Sequence, residues 1–227
     1  MTHYLKKNIP LQGADSAVEV ITAVACADQN AFWVFVRNFS ATNKLLAYLV
    51  DAEGIHQTPV VSLCLSNQSL LQQVGTVKAS SDGRYLVYGP SGWNLNIPVS
   101  ELYNLNSING EATPVFLFNS GGVNWGAEFS ANSEFLYLAM ESPGGDSSKI
   151  VQFDMGQLSS ATVFQNNKIV VNAISGAPKY WQQQIAPDGK IYGIQYPTST
   201  KSLSVINEPS KKGLFCNFQP NAFPLAS

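Results

Sequence analysis

Four short hairpins recur along this chain at nearly even spacing, and that periodicity constrains its fold more than any other feature. The segments are TAVACADQNAFWVFV (residues 22–36), VKASSDGRYLVYG (77–89), AEFSANSEFLYLA (127–139) and QQIAPDGKIYGIQ (183–195). Their turn residues Asp28, Asp82, Asn132 and Asp188 fall 54, 50 and 56 residues apart. In the second and fourth, Asp-Gly separates two strand-like runs, a turn in which glycine accepts the positive φ that a tight loop needs. A period of about fifty residues with several strands per repeat is the size of one β-propeller blade.

Each repeat supplies further strand-like runs. The first reads as strands over 20–26, 31–38, 44–51 and 58–65, and the second over 75–81, 85–90, 99–106 and 113–119. The third gives 125–131, 135–142, 149–155 and 168–174, and the fourth only 181–187, 191–196 and 203–209. Turn chemistry separates the runs at Asn109-Gly110, Pro143-Gly144-Gly145-Asp146 and Ser175-Gly176-Ala177-Pro178. Helical spacing is weak everywhere, with one candidate over residues 66–73. The expectation is an all-β propeller of about four blades of four antiparallel strands, one domain over residues 1–227. Its blades would cover 20–65, 75–119, 125–174 and 181–209, followed by a tail over 210–227. The fourth blade lacks an outermost strand, and free sheet edges invite aggregation, so residues 3–11 are expected to close the ring beside 203–209. Residues 214–219 are the alternative for that place. A ring closed within one chain is preferred to two chains pairing their open ends as an eight-blade homodimer.

Composition narrows the function classes. A chain of 227 residues can bury a core without disulfides. Only 12% of residues are charged, and 13 basic against 15 acidic side chains leave a net charge of −2. Nucleic-acid binding rests on clustered Lys and Arg, so no nucleic-acid partner is expected. Cys26, Cys64 and Cys216 are too few and too scattered for a disulfide framework or a zinc site, and read as buried or half-buried thiols. The two histidines, His3 and His56, leave little for His-dependent chemistry. The N-terminal stretch shows no apolar run of signal-peptide length, and no window reaches the ~20 apolar residues of a membrane span. The expectation is a soluble protein without membrane insertion, cytoplasmic or a piece of something larger. No cofactor or metal is implied.

The segment ITAVACADQNAFWVFVRNFSATNKLLAYLVDAEGIHQTPVVS, the later repeats and the ending LSVINEPSKKGLFCNF carry a family resemblance. Together they resemble the WD40-like propeller region of gliding-motility-associated, type IX-sorted secreted proteins of Bacteroidetes-type bacteria. The ending is its most specific piece, through its Ile-Asn-x-Pro and Gly-x-x-Cys-Asn spacing. The third hairpin departs from the pattern, with Ala131-Asn132-Ser133-Glu134 where Ser-Pro-Asp-Gly is favoured. The resemblance implies a propeller, a surface or interaction role and a secreted or cell-surface location. It supplies no catalytic residue.

Candidate ligand-binding residues follow from strand alternation, which points residues two apart to one face. Lys78, Glu128 and Gln184 occupy one polar position of the innermost strands, either as a ligand-binding ring near the axis or as side chains that satisfy one another. Trp125 and Trp181 align at the entry to their strands, and Trp93 sits in the turn Ser91-Gly92-Trp93-Asn94. Such aromatics suit a glycan or a protein hot spot, or fill the space between blades. Trp33 reads as core. Pro143–Ser148 lacks the Gly-Lys-Ser/Thr ending of a phosphate loop and reads as a hairpin turn. Asp82 and Asp188 read as turn formers.

The function expected on these grounds is a non-enzymatic module that recognises a protein or glycan partner through one rim. The alternatives are a hydrolase or lyase that uses polar residues at the channel, and a structural piece of a larger surface assembly. No catalytic residues are assigned.

Overall fold

A computed structural model describes residues 10–14, 17–28, 30–38, 44–65, 74–91, 99–197 and 201–225. They form a four-blade β-propeller, each blade an antiparallel sheet whose first strand lies innermost. The first blade contains β1 (Ala17–Ala25), β2 (Phe32–Asn38), β3 (Lys44–Asp51), the short β4 (Gly54–Ile55) and β5 (Val60–Leu63). The second contains β6 (Val74–Ala79), β7 (Tyr85–Ser91), β8 (Val99–Asn106) and β9 (Glu111–Asn119). The third contains β10 (Val123–Phe129), β11 (Phe135–Glu141), β12 (Ser147–Asp154) and β13 (Ile169–Ser175), with helix α1 (Ala161–Asn166) between the last two. The fourth contains β14 (Lys179–Ile185), β15 (Ile191–Tyr196), β16 (Ser202–Ile206) and β17 (Phe218–Pro224).

The repeated hairpins join the two inner strands of each blade. Asp82 Oδ1 accepts from the Ser80 hydroxyl at 2.7 Å and from the Arg84 amide at 3.1 Å. Asn132 Oδ1 does the same for Ser130 and Glu134, and Asp188 Oδ1 accepts from the Lys190 amide. These carboxylate and amide oxygens are the turn formers that the spacing suggested. The third hairpin shows what its departure requires. Ser133 adopts the left-handed φ of 58° that Gly83 and Gly189 adopt at 69° and 78°, and it is fully buried there.

Three apolar cores lie between successive blades. Val20, Val24, Trp33 and Phe35 of the first blade meet Val77, Leu86, Tyr88 and Tyr103 of the second. Val87, Leu102 and Phe118 meet Phe129, Leu136, Leu138 and Phe153 at the next junction. Phe135, Tyr137, Ile150 and Val171 meet Tyr180, Ile191, Ile206 and Cys216 at the third. Among the described residues, no such core joins the fourth blade to the first.

Helix α1 was not anticipated, and it belongs to the second of these cores. Ser160 caps it, accepting the Val163 amide on Oγ at 3.2 Å. Its buried Phe164 packs against Phe118 and Phe153, with ring centroids 5.0 and 5.1 Å apart. Six residues span less than two turns, too few for a 3.6-residue periodicity to show in sequence. The helix candidate over residues 66–73 lies outside the described residues.

The place beside β16 expected for residues 3–11 is taken by β17. Pro10 and Leu11 are not in a strand, and residues 3–9 lie outside the described residues. The expected tail over 210–227 therefore holds the outermost strand of the fourth blade. The alternative, residues 214–219, came closer: 218 and 219 open β17, whereas Gly213–Cys216 form a 3-10 turn. Pro220 and Pro224 disguise the strand, since proline removes a ladder donor and is tolerated only at an edge. The left-handed Asn221 (φ 53°) and a register shift between Leu203 and Val205 disguise it further.

Candidate functional site

Lys78, Glu128 and Gln184 come together at the axis. The innermost strands β6, β10 and β14 place them on successive blades at one level. Lys78 Nζ lies 2.7 Å from Glu128 Oε2 and donates to Gln184 Oε1 at 3.3 Å. The Ile185 amide donates to Glu128 Oε2 at 2.8 Å, and the Phe129 amide to Oε1 at 2.9 Å. Both oxygens of this buried carboxylate are thus engaged by the second, third and fourth blades. Burial pushes its pKa up, with the Lys78 ammonium and the two amides pulling against that rise. Beside this cluster a polar concavity of about 410 Å³ is lined by Glu19, Thr22, Thr76, Lys78, Gln182 and Gln184.

Trp125 and Trp181 also meet. Their rings stack at 4.0 Å with 14° between planes, and Tyr196 covers the other side of Trp181 at 4.8 Å. Trp125 Nε1 donates to Glu141 Oε2 at 2.8 Å, and Glu141 pairs with Lys179 of the fourth blade. The tier fills the seam between the third and fourth blades. Trp33 is buried between the first two blades and donates to the Ser107 carbonyl at 3.1 Å. Trp93 lies outside the described residues. Pro143–Ser148 forms a hairpin turn closed by the Ser142 amide on the Ser147 carbonyl. His56 and Asp51 form a surface pair at 2.6 Å.

Two sites escaped the sequence reading. One is the buried pair of Arg37 and Glu101, which ties β2 to β8. Arg37 falls two residues from Phe35 and four from Trp33, on the face that packs against the second blade. That alternation was visible, and a charge on a buried face demands a partner. None of the three cysteines is in a disulfide; Cys64 sits near this pair, and burial raises its thiol to about 11.

The other is a rigid apolar knob between β16 and β17. Leu214 and Phe215 are 77% and 83% exposed, whereas the adjoining Cys216 is fully buried. Buried groups of the third blade hold the loop that carries them. Tyr137 Oη donates to the Pro209 carbonyl at 2.8 Å, and Gln152 Nε2 to the Lys211 carbonyl at 2.7 Å. Gln152 Oε1 accepts the Gly213 amide at 2.7 Å, and Lys212 pairs with Asp154 at 2.9 Å. The loop's own ends are tied by the Glu208 amide on the Cys216 carbonyl. Neighbouring hydrophobics pointed at solvent from so fixed a loop are unusual, because apolar surface gains by burial. The sequence showed the motif through its Gly-x-x-Cys-Asn spacing, but not which of its side chains face outward.

No family model matches the chain, and no curated protein matches it. Among solved structures it is similar to U3-55K, at 13% identity and a TM-score of 0.52, over 89% of this chain and 52% of that one. It is similar to a putative 6-phosphogluconolactonase from Bacteroides fragilis, at 16% identity and a TM-score of 0.50, over 96% and 57%. A third is the β-propeller domain of Myceliophteria thermophila Swd1, at 10% identity and a TM-score of 0.44, over 80% and 48%. The chain spans about half the length of the solved propellers it matches. These likenesses show the β-propeller fold alone, and nothing in them supports the gliding-motility resemblance beyond that fold. No helix among the described residues is long and apolar enough to cross a membrane.

Proposed function

We propose that this propeller is a non-enzymatic interaction module that binds a protein partner through one rim, with Leu214 and Phe215 as its anchor. The observation that carries the reading is the pairing of full exposure with rigid support: two large apolar side chains held outward by hydrogen bonds to buried Tyr137 and Gln152. Binding hot spots are pre-organised apolar anchors that enter a partner's pocket, and a rigid loop loses little entropy when it docks. In this reading Lys78, Glu128 and Gln184 brace three blades at the axis, and Trp125 and Trp181 fasten the third blade to the fourth. Their polar groups answer one another, which favours a structural role over the hydrolase or lyase alternative.

A displayed peptide library panned on the immobilised chain tests this, with recovered peptides titrated calorimetrically. Leu214→Ser with Phe215→Ser is expected to weaken them at least about tenfold, while Lys78→Ala leaves them unchanged. Peptides indifferent to the knob variant would remove the anchor. Turnover of an aryl glycoside, an ester or a sugar lactone that is lost in Lys78→Ala, Glu128→Ala and Gln184→Ala would establish the enzyme instead.

A further inference from the structure

Among the described residues, the first and last blades each present an apolar face that no other blade covers. On the first blade the ladder aligns Ile21, Val36, Leu46 and Val61 in one row, and Ala25, Phe32, Val50 and Ile55 in another. The face is as apolar as the opposite one, which holds Val24, Trp33, Phe35 and Ala47 against the second blade. Yet Ile21 is 69% exposed, Phe32 54%, Val61 49% and Leu63 66%. Residues 10–14 reach only part of it: Tyr48 Oη donates to the Gln12 carbonyl, and Gly13 lies over Leu46. On the fourth blade, strand alternation turns Tyr192 and Ile194 away from the third blade, with Leu203, Val205 and Phe223 beside them. Ile194 and Phe223 remain 39% and 49% exposed. The third blade shows what two neighbours do, since every residue of β10 and β11 is buried.

We infer that two copies of this chain close one eight-blade ring, the fourth blade of each packing on the first blade of the other. The two bare faces are the leading and trailing sides of the same repeating junction, made three times within the chain. A second copy related by a twofold axis along the propeller supplies both missing neighbours at once and leaves no apolar face over. Closure also completes the axial concavity, whose wall of Glu19, Lys78, Gln182 and Gln184 becomes half of a channel. This inference is independent of the Leu214–Phe215 anchor, which lies on a rim.

Light scattering on a size-exclusion column decides it. The chain at about 100 µM is expected at twice its 24.6 kDa mass. Ile21→Glu and Ile194→Glu each place a charge in the junction, and each alone is expected to run as a monomer with an unchanged far-UV spectrum. Mixed, they are expected to form dimer again, since one of the two junctions then joins two unmodified faces. That complementation distinguishes head-to-tail closure from a face that pairs with itself. A monomeric wild type, an open polymer, or a dimer that survives both substitutions overturns the inference.

Discussion

Arg37 of the first blade and Glu101 of the second form an ion pair at 3.1 Å, with side chains only 6% and 1% exposed. Arg37 also stacks over the Tyr88 ring at 4.0 Å, and Glu101 accepts the Leu65 amide and the Tyr103 hydroxyl. Burial drives the Tyr88 hydroxyl up to about 12 and the Tyr103 hydroxyl higher still, so both remain protonated. The pair therefore ties β2 of the first blade to β8 of the second across their buried junction.

Removing one partner strands the other's charge in that core. Glu101→Leu is expected to destabilise the chain by about 3–5 kcal/mol, the usual cost of an orphaned buried charge. Arg37→Met with Glu101→Leu is expected to cost distinctly less than either change alone. Urea unfolding of the three variants measures this, and a double variant that is simply the sum of the singles would show that the residues act independently.

Gly126 of β10 lies against the backbone of β14 in the fourth blade. A Cβ there would stand 2.5 Å from the Trp181 carbonyl oxygen, a backbone atom that can yield only by moving β14. Gly126→Ala is expected to cost about 1–3 kcal/mol by overpacking and to part the Trp125–Trp181 stack. Loss of the exciton couplet of the paired indoles in far-UV circular dichroism reports the separation. An unchanged couplet with unchanged stability would mean that the seam gives way more easily than its geometry implies.

Phe164 is the one large side chain of α1 in the second core, where it touches the rings of Phe116, Phe118 and Phe153. Phe164→Ala is expected to cost about 3–5 kcal/mol, and Ser160→Ala about 1 kcal/mol through the lost cap. Thermal unfolding of both variants tests the ranking. Equal effects would deny the helix its anchoring role.

These residues also mark how far the sequence could be read. The second, third and fourth hairpins were legible because each uses an Asp or Asn oxygen to collect the amide two residues on, so the turn is written in adjacent residues. The axial contact of Lys78, Glu128 and Gln184 was legible because a repeat of even length brings equivalent positions to one level. Phe164 and β17 were not, since a six-residue helix shows no period and the prolines of an edge strand resemble a tail. Leu214 and Phe215 look like core residues in sequence. Only the hydrogen bonds from Tyr137 and Gln152, which come from another blade, turn them outward.

The axial carboxyl gives a pH test of the brace. Burial raises the Glu128 pKa above its ordinary 4.5, so the folded chain holds this proton more tightly than the unfolded one. The stability the group contributes is therefore complete below pH 4.5 and is lost as pH rises through the folded value. Glu128→Gln cannot ionise, yet it keeps one oxygen for the Ile185 or Phe129 amide. The stability gap between wild type and Glu128→Gln is accordingly expected to narrow between about pH 4 and pH 7. Urea titrations of both proteins across that range measure the gap. If it widens with pH, the Lys78 ion pair outweighs desolvation, and the axial cluster is a charged brace rather than a buried carboxyl held mainly by its neighbours' amides.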